Sequence, residues 1–381
     1  MGTAYTPGLK VSSSTVIEKT RRLPLKGTVL VKVGDRVEPD TIVARTELPG
    51  PMQTVKLAEQ MGVEPAEVKA ALKVSVGDTV EKGTLLAQTK GLFGWFKSEF
   101  RSPVAGKIEM LSEQTGHLGI RMPPTPVEKD AYIRGTVKEV IPEEGVVVQC
   151  RGALVQGIFG VGGERQGRIA VAVDSPDAVL TDTVITAEHA GCIVVGGSNV
   201  TARALRKAAE VGAAAIVVGG IVDRDLIEYL RETLKDPSFD IGVAITGHEP
   251  VPFTIVVTEG FGTIRMAGRT FDLLRSLGGA SASVNGATQI RAGVIRPEVI
   301  APSETDEAIR VDAPESGQLL EGTHIRVIRE PYFGELGVVT ALPPELQQVD
   351  SETHVRVLHA RLEDGRDVVV PRANVEIIEA A

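Results

Sequence analysis

One stretch is met twice. Residues 31–46 read VKVGDRVEPDTIVART and residues 74–89 read VSVGDTVEKGTLLAQT, with nine of sixteen positions identical. Each copy alternates apolar and polar residues, breaks at Gly-Asp and alternates again. That is the period of a strand with one buried face, turned back on itself, so each copy reads as a β-hairpin-like unit. Between the copies, TVKLAEQMGVEPAEVKAAL (54–72) has helical spacing and many Ala, Glu and Lys residues, which predicts a short helical insertion. SPVAGKIEMLSEQTGHLGI (102–120) then gives another turn-bounded pair of strands.

The second copy followed by SPVAGKIEML resembles the biotinyl/lipoyl-type domains and their relatives, the barrel-sandwich hybrids, over roughly residues 24–122. The carrier members of that family display a modifiable Lys, set between Met or acidic residues, at the tip of a connecting hairpin. Here the connection is KGLFGWFKSEFR (90–101), and neither Lys90 nor Lys97 has that setting. The resemblance therefore implies the fold without the prosthetic group. In its place stand Phe93, Trp95, Phe96 and Phe100, in a chain with nine Phe, four Tyr and one Trp. Leaving a large apolar side chain in water costs about 1.5–3 kcal/mol. Phe93, Trp95 and Phe96 are thus expected to be covered, by a neighbouring domain, a second copy, another protein or a membrane surface.

Composition narrows the function classes. A chain of 381 residues with 43% hydrophobic and 24% charged residues is globular and long enough for two to four domains. A net charge of −9 disfavours nonspecific binding to a phosphate backbone. Cys150 and Cys192 form no ligand spacing and read as reduced thiols of a cytoplasmic protein. No His pair has a metal-ligand spacing beside a carboxylate or Cys, so no metal and no cofactor is expected. There is no apolar run of membrane-spanning length, and MGTAYTPGLK lacks a signal-peptide core. Gly2 and Thr6 do satisfy the short, common myristoylation pattern.

The pattern stays β-like from 131 to 184, and the glycines at 157, 160, 162 and 163 read as turns or bulges. Near 185 the period changes. CIVVGG, AAAIVVGG, IGVAITG and FTIVVTEG read as buried strands, alternating with the helical stretches SNVTARALRKAAEVG and DRDLIEYLRETL. Ser198 or Asn199 would cap the first helix and Asp223 the second. Open α/β sheets bind ligands beyond the carboxyl ends of their strands. Here those ends carry glycines, and Gly196, Gly197, Ser198, Asn199 and Thr201 form a candidate anion site at a helix N-terminus. His248 and Glu249 are candidate acid/base groups. Short βα loops need glycine for backbone reasons as well, so the same crest fits a site-free sheet.

After the acidic, Pro/Ser-rich stretch 302–316, residues 317–381 resemble the KOW domain of NusG-type transcription factors and some ribosomal proteins. The family's glycine, apolar and Pro-Phe positions appear as Gly322, Ile325, Val327, Pro331, Phe333, Gly334, Gly337 and Val339. The resemblance implies an SH3-like barrel that docks on protein or RNA. Six Arg and no Lys stand against eleven Asp and Glu in this segment, which favours protein. Tyr332 and Phe333 are its candidate contact residues, with Phe333 equally able to belong to the barrel core.

The fold class expected is thus multidomain, β-rich plus α/β. A barrel-sandwich hybrid with a helical insertion spans 1–130, a β-rich extension 131–184, a small parallel α/β domain 185–301, a linker 302–316 and a KOW/SH3-like domain 317–381. No catalytic residue is assigned. The function expected is that of a non-enzymatic, cytoplasmic scaffold that binds protein partners or itself. The alternatives are a ligand-binding or enzymatic α/β domain using the glycine crest, and a transcription- or translation-associated factor.

Overall fold

The computed structural model describes residues 9–89, 98–239, 249–288, 295–303, 319–327, 331–332, 335–348 and 354–377. Among the described residues the protein is strand-rich, with 46% in strands of several sheets and 15% in helices. The largest is an eleven-stranded mixed sheet. It runs Phe159–Val161, Thr254–Phe261, Ala215–Ile221, Cys192–Val195, Glu164–Val171, Ser281–Asn285, Glu298–Pro302, Gly145–Gln156, Gly135–Ile141, Arg36–Val37, and Val11–Arg22 pairs with Gly145–Gln156 off this path. Glu164–Val171, Cys192–Val195, Ala215–Ile221 and Thr254–Phe261 are mutually parallel neighbours. Every residue of Cys192–Val195 and of Ala215–Ile221 is buried, as befits parallel strands covered on both faces. Helices Ala202–Val211 and Asp223–Leu234 pack on one face, and Gly268–Ser276 packs on the other through Phe271 and Leu274. The change of period near residue 185 precedes buried strand Cys192–Val195 and the crossover helix Ala202–Val211 that follows it. The sheet itself continues through that point, because Glu164–Val171 is already a parallel member.

The repeated stretch folds the same way twice. Gly34 N–H donates to Val137 O (2.8 Å) and Gly77 N–H to Ile108 O (2.7 Å). Asp35 and Asp78 each accept at 2.8 Å from the backbone N–H three residues earlier, on Lys32 and Ser75. The Thr41 and Thr84 hydroxyls accept from Glu38 and Glu81 N–H (2.9 and 3.0 Å). The correspondence extends past sixteen residues. In one unit the strand order is Val11–Arg22, Gly145–Gln156, Gly135–Ile141, Arg36–Val37, and in the other Met52–Lys56, His117–Arg121, Gly106–Ser112, Thr79–Val80. The expected hairpins do not form within either copy. Arg36–Val37 pairs with Gly135–Ile141, whereas Ile42–Leu48 pairs with Thr125–Asp130 and Thr28–Val29. The Gly34-Asp35 turn, between Thr28–Val29 and Arg36–Val37, thus carries the chain from one sheet to the other, and residues 38–41 carry it back.

The second unit is inserted inside the first. Ile42–Leu48 and Thr125–Asp130 pair directly, Leu48 opposite Thr125, and residues 49–124 leave and return at that point. In the inserted unit the matching strands are Leu85–Gln88 and Glu99–Arg101, closed by a Thr89 N–H bond to Ser98 O (3.0 Å). The inserted unit hangs on a two-stranded neck, Pro49-Gly50-Pro51 beside Met122-Pro123-Pro124. Met122 N–H donates to Pro51 O (3.0 Å), and a Cβ on Gly50 would stand 2.1 Å from Met122 O. Helices Leu57–Met61 and Pro65–Ala71 cover one end of this unit and bury Leu57, Met61 and Val68. Its apolar core is its own.

The C-terminal strands His324–Val327, Leu336–Ala341, Leu346–Gln348, His354–Leu362, Asp367–Pro371 and Val375–Ile377 form a six-stranded antiparallel sheet. Ile325, Val327, Val339, Leu358, Ala360 and Leu362 fill its separate core.

Candidate functional site

The carboxyl ends of the parallel strands gather the residues singled out as a site. Helix Ala202–Val211 begins at Thr201, whose side-chain oxygen accepts from Ala204 N–H (3.2 Å); Thr201 is the cap, not Ser198 or Asn199. Ser198 is buried, with its hydroxyl donating to Asp177 O (2.7 Å) and its N–H to Ala178 O (3.0 Å). Asn199 Oδ1 accepts from Val222 N–H (3.3 Å), the residue that precedes helix Asp223–Leu234. Gly196 and Gly197 lie under segment 175–180, and a Cβ on Gly197 would stand 2.4 Å from Ala178 O. Gly219 and Gly220 lie equally close under segment 262–266: a Cβ on Gly219 would meet Ile264 O and Met266 N at 2.5 Å. These glycines admit the protein's own backbone. Gly196, Gly197, Ser198, Asn199 and Thr201 are brought together, and the polar groups among them bond to the chain itself.

Glu249 stands apart from that crest. It lies two residues before Val251, whose carbonyl accepts from Arg165 Nη2 (2.7 Å), on the approach to the amino end of Thr254–Phe261. His248 lies outside the described residues.

The residue that sequence reading passed over at this edge is Glu259, near the end of Thr254–Phe261. Its side chain is 4% exposed, and Arg326 of the C-terminal unit, 9% exposed, donates from Nη1 to its Oε2 at 2.6 Å. Glu259 Oε1 accepts from Ala267 N–H (3.0 Å) and from the Thr258 hydroxyl (3.2 Å). Beside the pair is a cleft of about 420 Å³. One wall carries Glu259, Arg265 and Arg269, and the other carries Glu335, Glu363 and Asp364. A carboxylate inside the apolar run FTIVVTEG was the available signal. For Arg326 the signal was alternation: Ile325 and Val327 point into the core of the C-terminal unit, so Arg326 faces away from it.

A second polar cluster joins the outer repeat unit to the main sheet. Arg21, 5% exposed, forms a bidentate pair with Glu164 (2.6 and 2.6 Å) and also donates to Asp130 Oδ1 (2.7 Å). Its guanidinium lies 5.2 Å from the centre of the Tyr132 ring. Tyr132 is buried and donates to Glu298 Oε1 (3.3 Å), which Lys19 also contacts at 2.6 Å. Burial works to raise the Glu164 carboxyl, but the hydrogen bond and charge of Arg21, with Lys129 and Lys19, outweigh it and hold it below the ordinary value. Burial pushes the Cys150 thiol up to about 11 against the opposing charges of Lys19 and Arg134. Cys150 and Cys192 are both buried free thiols.

Of the candidate partner contacts, Phe93, Trp95, Phe96 and Phe333 lie outside the described residues. Tyr332 is half-buried against the C-terminal core, with the Arg366 guanidinium 5.6 Å from its ring centre. Among the described residues, no group of three or more His, Cys, Asp or Glu side chains is placed to hold a metal ion. No helix among them is long and apolar enough to cross a membrane. Comparison with protein-family models and with curated proteins finds no match to this chain.

Proposed function

We propose that this chain is a non-enzymatic scaffold in which β-modules are arranged around a central α/β sheet. The observation that carries the reading is the occupancy of the sheet's carboxyl edge. Where an open α/β sheet would receive a ligand, segments 175–180 and 262–266 pack against the glycines, and Arg326 of another unit meets Glu259. That edge serves to join modules. The two nested units repeat one strand order and one set of redirecting Gly-Asp turns, and on that repeat we assign them to the barrel-sandwich hybrids. The six-stranded antiparallel sheet at the C-terminus, with its own small core, is in keeping with an SH3-like KOW barrel. The acidic balance of residues 317–381 makes protein the partner it suits, whether another protein or a second copy of this chain.

Thermal shift of the full chain against inorganic phosphate, nucleotides and carboxylate metabolites tests the reading. The scaffold predicts no saturable stabilisation. A saturable shift that Ser198→Ala removes would restore the ligand-binding alternative. RNA binding at physiological salt should be no tighter than about 10⁻⁴ M. Micromolar, salt-sensitive RNA binding would replace the scaffold with the transcription- or translation-associated reading.

A further inference from the structure

We infer that the C-terminal unit is a detachable clasp over the carboxyl edge of the parallel strands, latched by the buried Glu259–Arg326 ion pair. The inference goes beyond the scaffold reading and does not depend on it, because an opening clasp would serve a ligand-binding edge equally well.

The seam has the character of a separable contact. Ile325 and Val327 face the core of the C-terminal unit, so Arg326 faces away from it, and its side chain is 9% exposed where it meets Glu259 of the α/β unit. The two apolar cores do not merge: one consists of residues from 319–375, and those of the sheet come from elsewhere in the chain. Next to the ion pair the surfaces part around the cleft of about 420 Å³ instead of interlocking. The walls carry opposite charges, Arg265 and Arg269 facing Glu335, Glu363 and Asp364. Charge of this kind guides docking but adds little once both surfaces are wet. Contacts between units without a large apolar area permit relative motion.

A buried ion pair also behaves unlike apolar packing. Replacing both partners by apolar residues is commonly neutral or stabilising, whereas removing one leaves an uncompensated charge. The pair therefore specifies one docked pose and is lost as a unit when the surfaces separate. When the clasp opens, Oε2 of Glu259 is uncovered and the bond from Ala267 N–H to Oε1 becomes open to water. The open edge then presents a carboxylate fitted to a guanidinium or ammonium group of another molecule.

The test uses the full chain, with small-angle scattering and native-state hydrogen exchange. Arg326→Leu should increase the radius of gyration and speed exchange of the Ala267 amide by about tenfold or more, with exchange at Val217 in the central strand unchanged. Combining it with Glu259→Leu removes both charges of this pair and should restore the wild-type scattering. Wild-type scattering and exchange in Arg326→Leu would overturn the clasp. Should that variant fail to fold, the wild type decides. An Ala267 amide that exchanges through a smaller opening than Val217 supports the clasp, and one common opening for both overturns it.

Discussion

The carbonyls of Val43 and Leu86 each accept a hydrogen bond from the residue thirteen positions earlier, Leu30 at 2.8 Å and Lys73 at 2.9 Å. Both side chains are fully buried, each in the core of a different unit. Val37 and Val80, and Ala44 and Ala87, are matched in the same way. The duplication therefore provides an internal control: equivalent substitutions probe equivalent geometry in two unlike surroundings.

Gly34 and Gly77 have φ of 91° and 102°, and a Cβ on either would meet nothing within 4 Å. Alanine at either position should cost about 1–3 kcal/mol, from backbone strain without any clash. The two costs should be similar but appear in different unfolding transitions, Gly77→Ala in that of the inserted unit. Chemical denaturation followed by site-specific exchange would separate them. Unequal costs would mean that the two turns are not physically equivalent.

A fragment of residues 50–123 should fold by itself. Among the described residues, the hydrogen bonds and ion pairs of 51–122 stay within that span, apart from Arg121 bonding to Gly50 O in the neck. Dispersed amide resonances and one cooperative thermal transition would confirm this. A molten fragment would show that the outer unit supports the inner one.

Acid stability should report on Arg21 and Glu164. The Glu164 carboxyl is held low in the folded state, so its pairing stabilises fully above the unfolded carboxylate value, roughly 4.3, and is lost as pH falls through the lower folded value. Glu164→Gln should destabilise the protein at pH 7 by about 2–4 kcal/mol, because Arg21 stays buried with Asp130 as its remaining acidic partner. The difference from wild type should shrink below pH 4. A difference that stays constant down to pH 2 would assign the loss to packing instead.

Two glycines near the strand ends should respond oppositely. Gly219→Ala forces a Cβ against backbone at 2.5 Å and should destabilise by about 1–3 kcal/mol or more. Gly268→Ala opens a helix and meets nothing within 4 Å, so it should stabilise by about 0.4–1 kcal/mol. Thermal melts of the two variants decide the matter.

The sheet strands were legible because their burial sets their composition: CIVV and AIVV are apolar on both faces and can be little else. The duplication was legible because Gly-Asp turns and buried valines leave few substitutes. Where each strand pairs was not legible. Partners such as Arg36–Val37 and Gly135–Ile141 are far apart in sequence, and local alternation says nothing about which edge a strand will meet. The Glu259–Arg326 pair was hidden for the same reason. Each residue is an ordinary charge in its own segment, and burial arises when two distant segments meet. The glycine crest fits a ligand site and a site-free sheet equally well in sequence, which shows the missing side chains but not what approaches them.

The nested arrangement also dictates an order of assembly during synthesis. Ile42–Leu48 leaves the ribosome early, yet its partner Thr125–Asp130 is not made until the whole inserted unit has emerged. The inserted unit closes over shorter sequence separations, so loop-closure entropy favours its folding first. As it folds, it brings residues 50 and 122 together, converting a long loop in the outer unit into a short one. Translation rate across residues 125–141 should therefore affect the yield of the outer unit more than that of the inner one.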